Sequence, residues 1–447
     1  MNETARFEST DLRADTADVG CELHALVSRL FPICRSITGE GVRQTIAVLS
    51  EFIEIQVRQI PSGTQVFDWT VPQEWSVREA HVRSPTGEVV VDFARSNLHL
   101  VNYSEPVARS MPLAELRAHI HTLPEQPDLI PYRTSYYRRD WGFCMRHSDF
   151  LALQEGDYDV LIDSSLADGE LTYGEVFLPG RSKREVLFSA HICHPSLAND
   201  NCSGLAVLAL VARALAGRRN RFGYRFVFAP GTIGALCWLS ENEDALGDIE
   251  SGLVVSCIGD GGGPIYKRSR RGDSAIDSAI EAVRCAGQKV TTLDFNPVGY
   301  DERQYCSPGF NLPVGLLQRS AYGTFPQYHT SADNLDFVRP EHLASSFRMI
   351  MDIIETLEAD WVPLNLSPKG EPQLGRRGLY SATGGHKATA EVTVCYLWVL
   401  NFADGSNSLL DIAHRSKLPF SDILCTAERL KECGLLGEVT TATEDQP

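Results

Sequence analysis

Apolar positions fall into distinct rhythms along the chain. Leu23, Leu26, Val27 and Leu30, and then Ile46, Leu49 and Ile53, recur at the spacing that lines one face of a helix. The loop between them, FPICRSITGEG, carries Pro and Gly and separates two predicted helices. From 155 to 360 short continuous apolar runs alternate with helical patterns. VLFSAH (186–191), YRFVFAP (224–230), GLVVSCIG (252–259) and LPVGLLQ (312–318) predict buried strands. Leu205, Leu208, Val211 and Leu215 mark a helix opening at Ser203, TIGALCWL starts another, and SAIDSAIEAVRCAG predicts a third that ends at Gly287. Pro340 suits the first turn of a helix running to about Glu358. Alternation of this kind predicts an α/β fold, a mostly parallel sheet flanked by helices.

The rhythm changes twice. Residues 61–150 hold DWTVPQEW, short alternating stretches such as EVVVDF and NLHLV, and many aromatics. They predict a small β-rich domain inserted into a core made of 20–60 and 151–362, with the aromatics serving mainly in packing. After a Pro/Gly-rich stretch (363–386), expected to be a linker, three helical segments predict a winged-helix-like module over 387–440. Residues 1–19 are polar and are expected to form a disordered tail.

Composition narrows the function classes. Of 447 residues, 43% are hydrophobic and 22% charged, an ordinary globular balance. The formal charge of −17 argues against nucleic acid or an anionic membrane as the main partner. The winged-helix segment is itself net acidic, so packing, contacts in a homo-oligomer, or covering of the site is expected of it rather than DNA binding. No apolar run is long enough to cross a bilayer, and the N-terminus lacks the pattern of a secretory signal. Twelve cysteines without a CxxC pair then read as reduced thiols in a cytoplasmic protein. There is no G-x-S-x-G, and GDGGGP lacks the ending of a phosphate loop. KRSRR (267–271) reads as a solvated basic loop.

Chemistry-bearing residues gather after the predicted strands, where open α/β sheets place their sites. HICHPSLANDNCSG supplies His191, His194 and Asp200, and Asp260 follows the third strand. GYDERQYCSPG supplies Asp301 and Glu302, and QYHTSADN supplies His329 and Asp333. Histidines and carboxylates from separate loops suit a divalent metal, Zn²⁺ first.

These motifs resemble the zinc aminopeptidase-like superfamily of M28 type. LFPICRSITGEGVRQT, DWTVPQEW, CHPSLANDN, TIG, DERQYCSPG and YHTS are similar to a bacterial subgroup with an aminopeptidase-like domain, an inserted β domain and a C-terminal winged helix. The resemblance implies one or two Zn²⁺ ions and a peptide or small-molecule substrate. It implies Asp200 as bridging carboxylate and His329 as the last histidine. His194 is favoured over His191 as the first histidine, and Asp260, with Cys257 as the alternative, as the acidic ligand. Asp301 matches an aspartate near the metals. An acidic pocket would hold a substrate ammonium group. In one place the chain departs from the pattern. Where the superfamily has two adjacent glutamates, a general base and a ligand, this chain has Gly231 and Thr232. Glu302 is the expected substitute base, ahead of Glu241 and Glu243. The functions implied are a zinc-dependent hydrolase of amide or peptide bonds, a biosynthetic amide hydrolase or transferase acting on a small metabolite, and a non-catalytic scaffold with a degenerate site.

Overall fold

The computed structural model describes residues 16–379 and 387–439. Its centre is an eight-stranded mixed sheet. In chain order the strands are β1 (Gln56–Pro61), β2 (Glu170–Leu178), β3 (Glu185–His191), β4 (Gly223–Ala229), β5 (Ile249–Val255), β6 (Ile265–Lys267), β7 (Thr291–Leu293) and β8 (Val314–Gln318). Their spatial order is β1-β2-β4-β3-β5-β8-β6-β7. The four middle strands, β4, β3, β5 and β8, run parallel, while β2 and β6 join them antiparallel.

The apolar runs are continuous because both faces of these strands are buried. Val186, Phe188 and Ala190 of β3, with Tyr224, Phe226 and Phe228 of β4, face one core. That core is covered by the helices α1 (Thr16–Leu30), α2 (Glu40–Leu49), α3 (Gly204–Leu215), α5 (Ala275–Cys285) and α6 (Pro340–Ala359). Leu187, Val227 and Val254 face the other way, onto α4 (Ile233–Glu241) and the inserted module. Strand side chains alternate in direction, so each strand serves both cores.

The inserted module is a four-stranded antiparallel sheet made of Val89–Asp92, Glu74–Arg83, Asp157–Ala167 and Val107–Pro112, in that order. Its third strand pairs with Glu74–Arg83 along nearly its whole length, so the module runs beyond 150. The C-terminal module holds α7 (Lys387–Phe402), α8 (Leu409–Ser416) and α9 (Phe420–Glu432). Pro363–Asn365 pairs with Leu436–Glu438, and Leu374 is buried in the module's core, so much of the expected linker is part of the module. Leu410 of α8 reaches into the main core, and its N–H donates to Asp360 at the end of α6 at 2.9 Å.

Thr16–Val19 of the expected tail belongs to α1, and the rest of the tail lies outside the described residues. Among the described residues no helix is long and apolar enough to cross a membrane. KRSRR is not simply a solvated loop. Lys267 is buried on β6, and Arg270 and Arg271 bond the side chain and backbone carbonyl of Asn311.

Strands β2, β3 and β4 are also locked by charge. Arg225 meets Glu175 at 2.6 Å and Glu185 at 2.6 Å, and Trp238 of α4 donates to Glu175 at 2.9 Å. Replacing Arg225 with Ala leaves the largely buried Glu185 without its counter-charge and Glu175 with only the half-exposed Arg58 at 3.7 Å, which should cost about 3 kcal/mol. The measurement is the denaturant midpoint of full-length protein; a loss below about 0.5 kcal/mol would reduce the network to the value of a surface pair.

Candidate metal centre

His191 is the last residue of β3, at the carboxyl end of the central parallel strands. Asp200 follows in an irregular turn, Ala198–Ser203, that leads into α3. That turn is held by side chains rather than by regular helix bonds. Asp333 accepts the N–H groups of Asn199 at 2.6 Å and Asp200 at 3.0 Å. Asn201 donates to Val255 O at 3.0 Å, tying the turn to the end of β5. The carboxylate of Asp200 is thereby aimed at three imidazoles. His191 Nε2 lies 2.8 Å from Oδ1, and His329 Nε2 lies 3.0 Å from Oδ2. His194 Nε2 stands 4.0 Å from Oδ2, with its ring 4.8 Å from that of His191 and 5.3 Å from that of His329.

Two of the histidines have their own support, while Nδ1 of His191 is buried without a hydrogen-bond partner. Arg35, fully buried in the FPICRSITGEG loop, donates to His194 O at 2.9 Å and to Leu30 O at 2.6 Å. His194 Nδ1 lies 3.3 Å from Cys193 Sγ. His329 is placed by the inserted module. Tyr132 N donates to His329 O at 2.8 Å, and Ser331 N donates to Ile130 O at 2.9 Å. The Tyr132 ring sits edge-on to His329, at 5.1 Å, and also 5.1 Å from His194. Tyr328 stacks flat on His329 at 4.0 Å.

Electrostatics favour a cation here. Burial lowers the His194 pKa well below its usual value, so this imidazole is neutral with a lone pair to offer. Burial also pushes the Asp200 carboxyl up. His194 and the hydrogen bonds from His191 and His329 outweigh this and hold it well below the usual carboxylate range. One coordinating atom from each of His191, His194 and Asp200 lies within 4.8 Å of the others. A divalent ion would replace the protons that the Nε2 atoms of His191 and His329 share with Asp200. Imidazoles around one carboxylate are compatible with zinc.

The other expected residues are placed differently. The Asp260 carboxylate is engaged by Asn199 Nδ2 at 2.8 Å, Gly262 N at 2.6 Å and Ser320 Oγ at 2.7 Å, and it braces the same turn. Cys257 is buried, and its thiol is pushed well up by burial and by Asp200 and Asp333, so it stays protonated. Burial raises Cys193 to about 12. Glu302 is wholly buried and pairs with Lys267 Nζ at 2.5 Å. Lys267 also holds the carbonyls of Val298 at 2.7 Å and Asn296 at 3.2 Å, while Glu302 accepts Tyr300 N–H at 3.0 Å. This pair therefore pins the loop that carries Tyr300. Asp301 accepts Thr232 N–H at 2.6 Å, keeps Oδ2 buried without a partner, and is raised by burial to about 6. Glu241 accepts from Tyr173 at 2.6 Å. Glu243 lines a separate cavity with Arg271 and Phe310.

Tyr300 occupies the gap left by Gly231. A Cβ at 231 would run directly into the Tyr300 ring and hydroxyl. Tyr300 Oη lies 3.4 Å from Cys193 Sγ, which also accepts Gly231 N–H at 3.3 Å. The resulting cavity, about 120 Å³, is lined by the three histidines, Asp200, Val298, Gly299, Tyr300, Tyr322 and Tyr328. The tyrosines were not singled out from the sequence. Tyr300 and Tyr328 directly precede Asp301 and His329, a signal that could have found them; Tyr322 carried none.

Comparison with known proteins bears on the family and the fold. A family model described as "Domain of unknown function (DUF4910)" matches residues 24–360, and a winged helix-turn-helix model matches 361–438. A Clostridium acetobutylicum protein, named as a candidate polysaccharide biosynthesis protein with an aminopeptidase-like domain, is 48% identical over 423 residues, covering 94% of this chain and 97% of its own. The crystal structure of a candidate peptidase from Clostridium acetobutylicum is similar at a TM-score of 0.88 and 46% identity, over 95% of this chain and 97% of that one. A zinc aminopeptidase from Bacillus subtilis is similar at a TM-score of 0.55 and 13% identity, over 75% of this chain and 94% of its own, a likeness of fold. The chain thus belongs to the DUF4910 family, and it joins the fold of M28-type zinc aminopeptidases to a winged helix-turn-helix module over 361–438.

Proposed function

We propose that the chain is a zinc-dependent hydrolase of an amide bond. The observation that carries this reading is the buried Asp200 carboxylate with His191, His194 and His329 around it. These four residues would hold the ion. Zinc bound there would supply Lewis acidity toward the scissile carbonyl and an activated water. The chain's own part is positioning. Asp333 and Asp260 fix the turn that aims Asp200, Arg35 fixes His194, and the inserted module fixes His329. Tyr300, pinned through Glu302 and Lys267, walls the reacting volume on the side where Gly231 leaves space. Glu302 is thus engaged in holding that wall, and a carboxylate base at 231 is absent. A second reading keeps the same chemistry in a biosynthetic setting, on a small metabolite. It is favoured by the name of the Clostridium acetobutylicum relative, which couples polysaccharide biosynthesis to an aminopeptidase-like domain.

Zinc should be recovered with the protein purified without added metal, and removing it should lower thermal stability. At a free concentration of 100 times Kd the gain on adding it back is about 2.7 kcal/mol. His329→Ala and Asp200→Asn should lose most of the metal by elemental analysis and turn over none of a panel of chromogenic amides. Wild-type protein that binds no zinc and gains no stability from it would overturn the hydrolase reading.

Gly231→Ala should displace Tyr300, with an overpacking cost of about 1–3 kcal/mol. Amide turnover should fall while Asp200 and the histidines still bind zinc. Unchanged stability and turnover would show that Tyr300 does not depend on the space beside Gly231.

A further inference from the structure

The sulfur of Cys193 stands where three polar groups meet. Gly231 N–H donates to it at 3.3 Å, His194 Nδ1 lies 3.3 Å away and Tyr300 Oη 3.4 Å away. Cys193 lies just beyond β3, in a loop without regular structure, and there two neighbouring side chains face each other. The residue is fully buried, so its sulfur meets no substrate.

A thiol has one S–H to give and lone pairs with which to accept. The Gly231 amide donates only, which settles one contact. The imidazole settles the other two. A histidine that offers Nε2 to a metal carries its proton on Nδ1, and an outer group normally holds that proton. Among the described residues Cys193 Sγ is the hydrogen-bond partner of His194 Nδ1. In the metal-binding tautomer His194 Nδ1–H therefore donates to Sγ, and the S–H is left for Tyr300 Oη. Every contact of the sulfur is then used, each in the direction its chemistry allows. The reverse arrangement, S–H to Nδ1, would place the imidazole proton on Nε2, the atom 4.0 Å from Asp200 Oδ2.

We propose that Cys193 is a positioning residue of the metal centre: its sulfur accepts His194 Nδ1–H, gives its own proton to Tyr300 Oη, and so keeps the lone pair of His194 on Nε2 for the ion. The proposal rests on the metal-centre reading above. It also gives Gly231 two tasks. Its N–H fills a lone pair of the sulfur, and its missing Cβ admits the Tyr300 hydroxyl that takes the S–H. The place of the two expected glutamates thus holds a support for a histidine ligand.

The test is the zinc affinity of full-length protein, measured by competition with a chromogenic chelator. Loss of an outer partner lowers metal affinity by about 10–100-fold. Bonds to sulfur are weak, so Cys193→Ala should lie at the low end, about tenfold. Cys193→Ser keeps a donor and acceptor lone pairs and should recover most of that loss. Alanine and serine share the loss of packing, so the difference between them reads the hydrogen bonds. Tyr300→Phe keeps the ring but frees the S–H to turn onto Nδ1, so it should also weaken zinc binding. The double variant should bind no more weakly than Cys193→Ala alone. In cobalt(II)-loaded protein, one exchangeable Nδ1–H resonance of a ligand histidine should shift in Cys193→Ala and return toward its wild-type position in Cys193→Ser. The proposal is overturned by Cys193→Ala that holds zinc as tightly as wild type, by serine that does no better than alanine, or by losses that add in the double variant. Tyr300→Phe with undiminished affinity overturns it as well, whether or not Cys193→Ala folds. Wild-type protein that takes up no zinc sinks the metal reading itself, whereas zinc held equally by wild type and Cys193→Ala sinks this proposal alone.

Discussion

The carboxyl end of the sheet is organised by one requirement, the burial of an ionised carboxylate. Asp200 is 1% exposed, so its charge must be answered inside the protein. The answer comes from three imidazoles delivered by three different routes. His191 arrives on a core strand, His194 on the loop that follows it, and His329 on a loop braced by the inserted module. The turn bearing Asp200 cannot be stabilised by regular helix bonds, because Asp200 and Asn201 lie outside helical backbone angles. Two further carboxylates therefore take over. Asp333 receives the backbone N–H groups, and Asp260 receives the Asn199 amide. Burial raises Asp333 to about 8, a measure of how little water reaches this layer. The acidic residues of the site thus divide into one that faces the cavity and two that hold it in place.

The same logic explains the Tyr300 loop. A glycine at 231 would leave a hole beside the histidines, and close-packed interiors do not tolerate such holes cheaply. Tyr300 fills it, but its loop between β7 and β8 has little regular structure of its own. The buried Lys267–Glu302 pair supplies the missing rigidity by gathering two loop carbonyls and the Tyr300 N–H into one cluster. A buried ion pair is weak evidence for stability, yet removing either partner strands a charge, so the pair commits the loop to one position. The tyrosine wall and the buried glutamate are therefore two parts of a single device.

How much of this was legible in the sequence follows from what each signal encodes. Continuous apolar runs report burial on both faces, and the four predicted strands became the four parallel strands at the centre of the sheet. Strand ends report where loops converge, which located His191, His194, Asp200 and His329 without fixing their partners. The direction of a side chain is not encoded in local pattern. Lys267 belongs to a basic run that reads as solvated, yet period-two alternation on β6 turns it inward to Glu302. Glu302 follows a site-proximal aspartate, yet one helical turn rotates it onto Lys267 rather than into the cavity. Tyr132 reaches His329 across almost two hundred residues, a contact that only the fold creates. The boundary at 150 was obscured for a similar reason. Asp157–Ala167 looks like any other strand approaching the core, and its membership of the inserted sheet is decided by pairing with Glu74–Arg83, a non-local choice. Sequence therefore specified which groups of this site exist and at which end of the sheet they meet. Which of them face the cavity and which brace it was settled by long-range packing, because each buried charge had to find its partner.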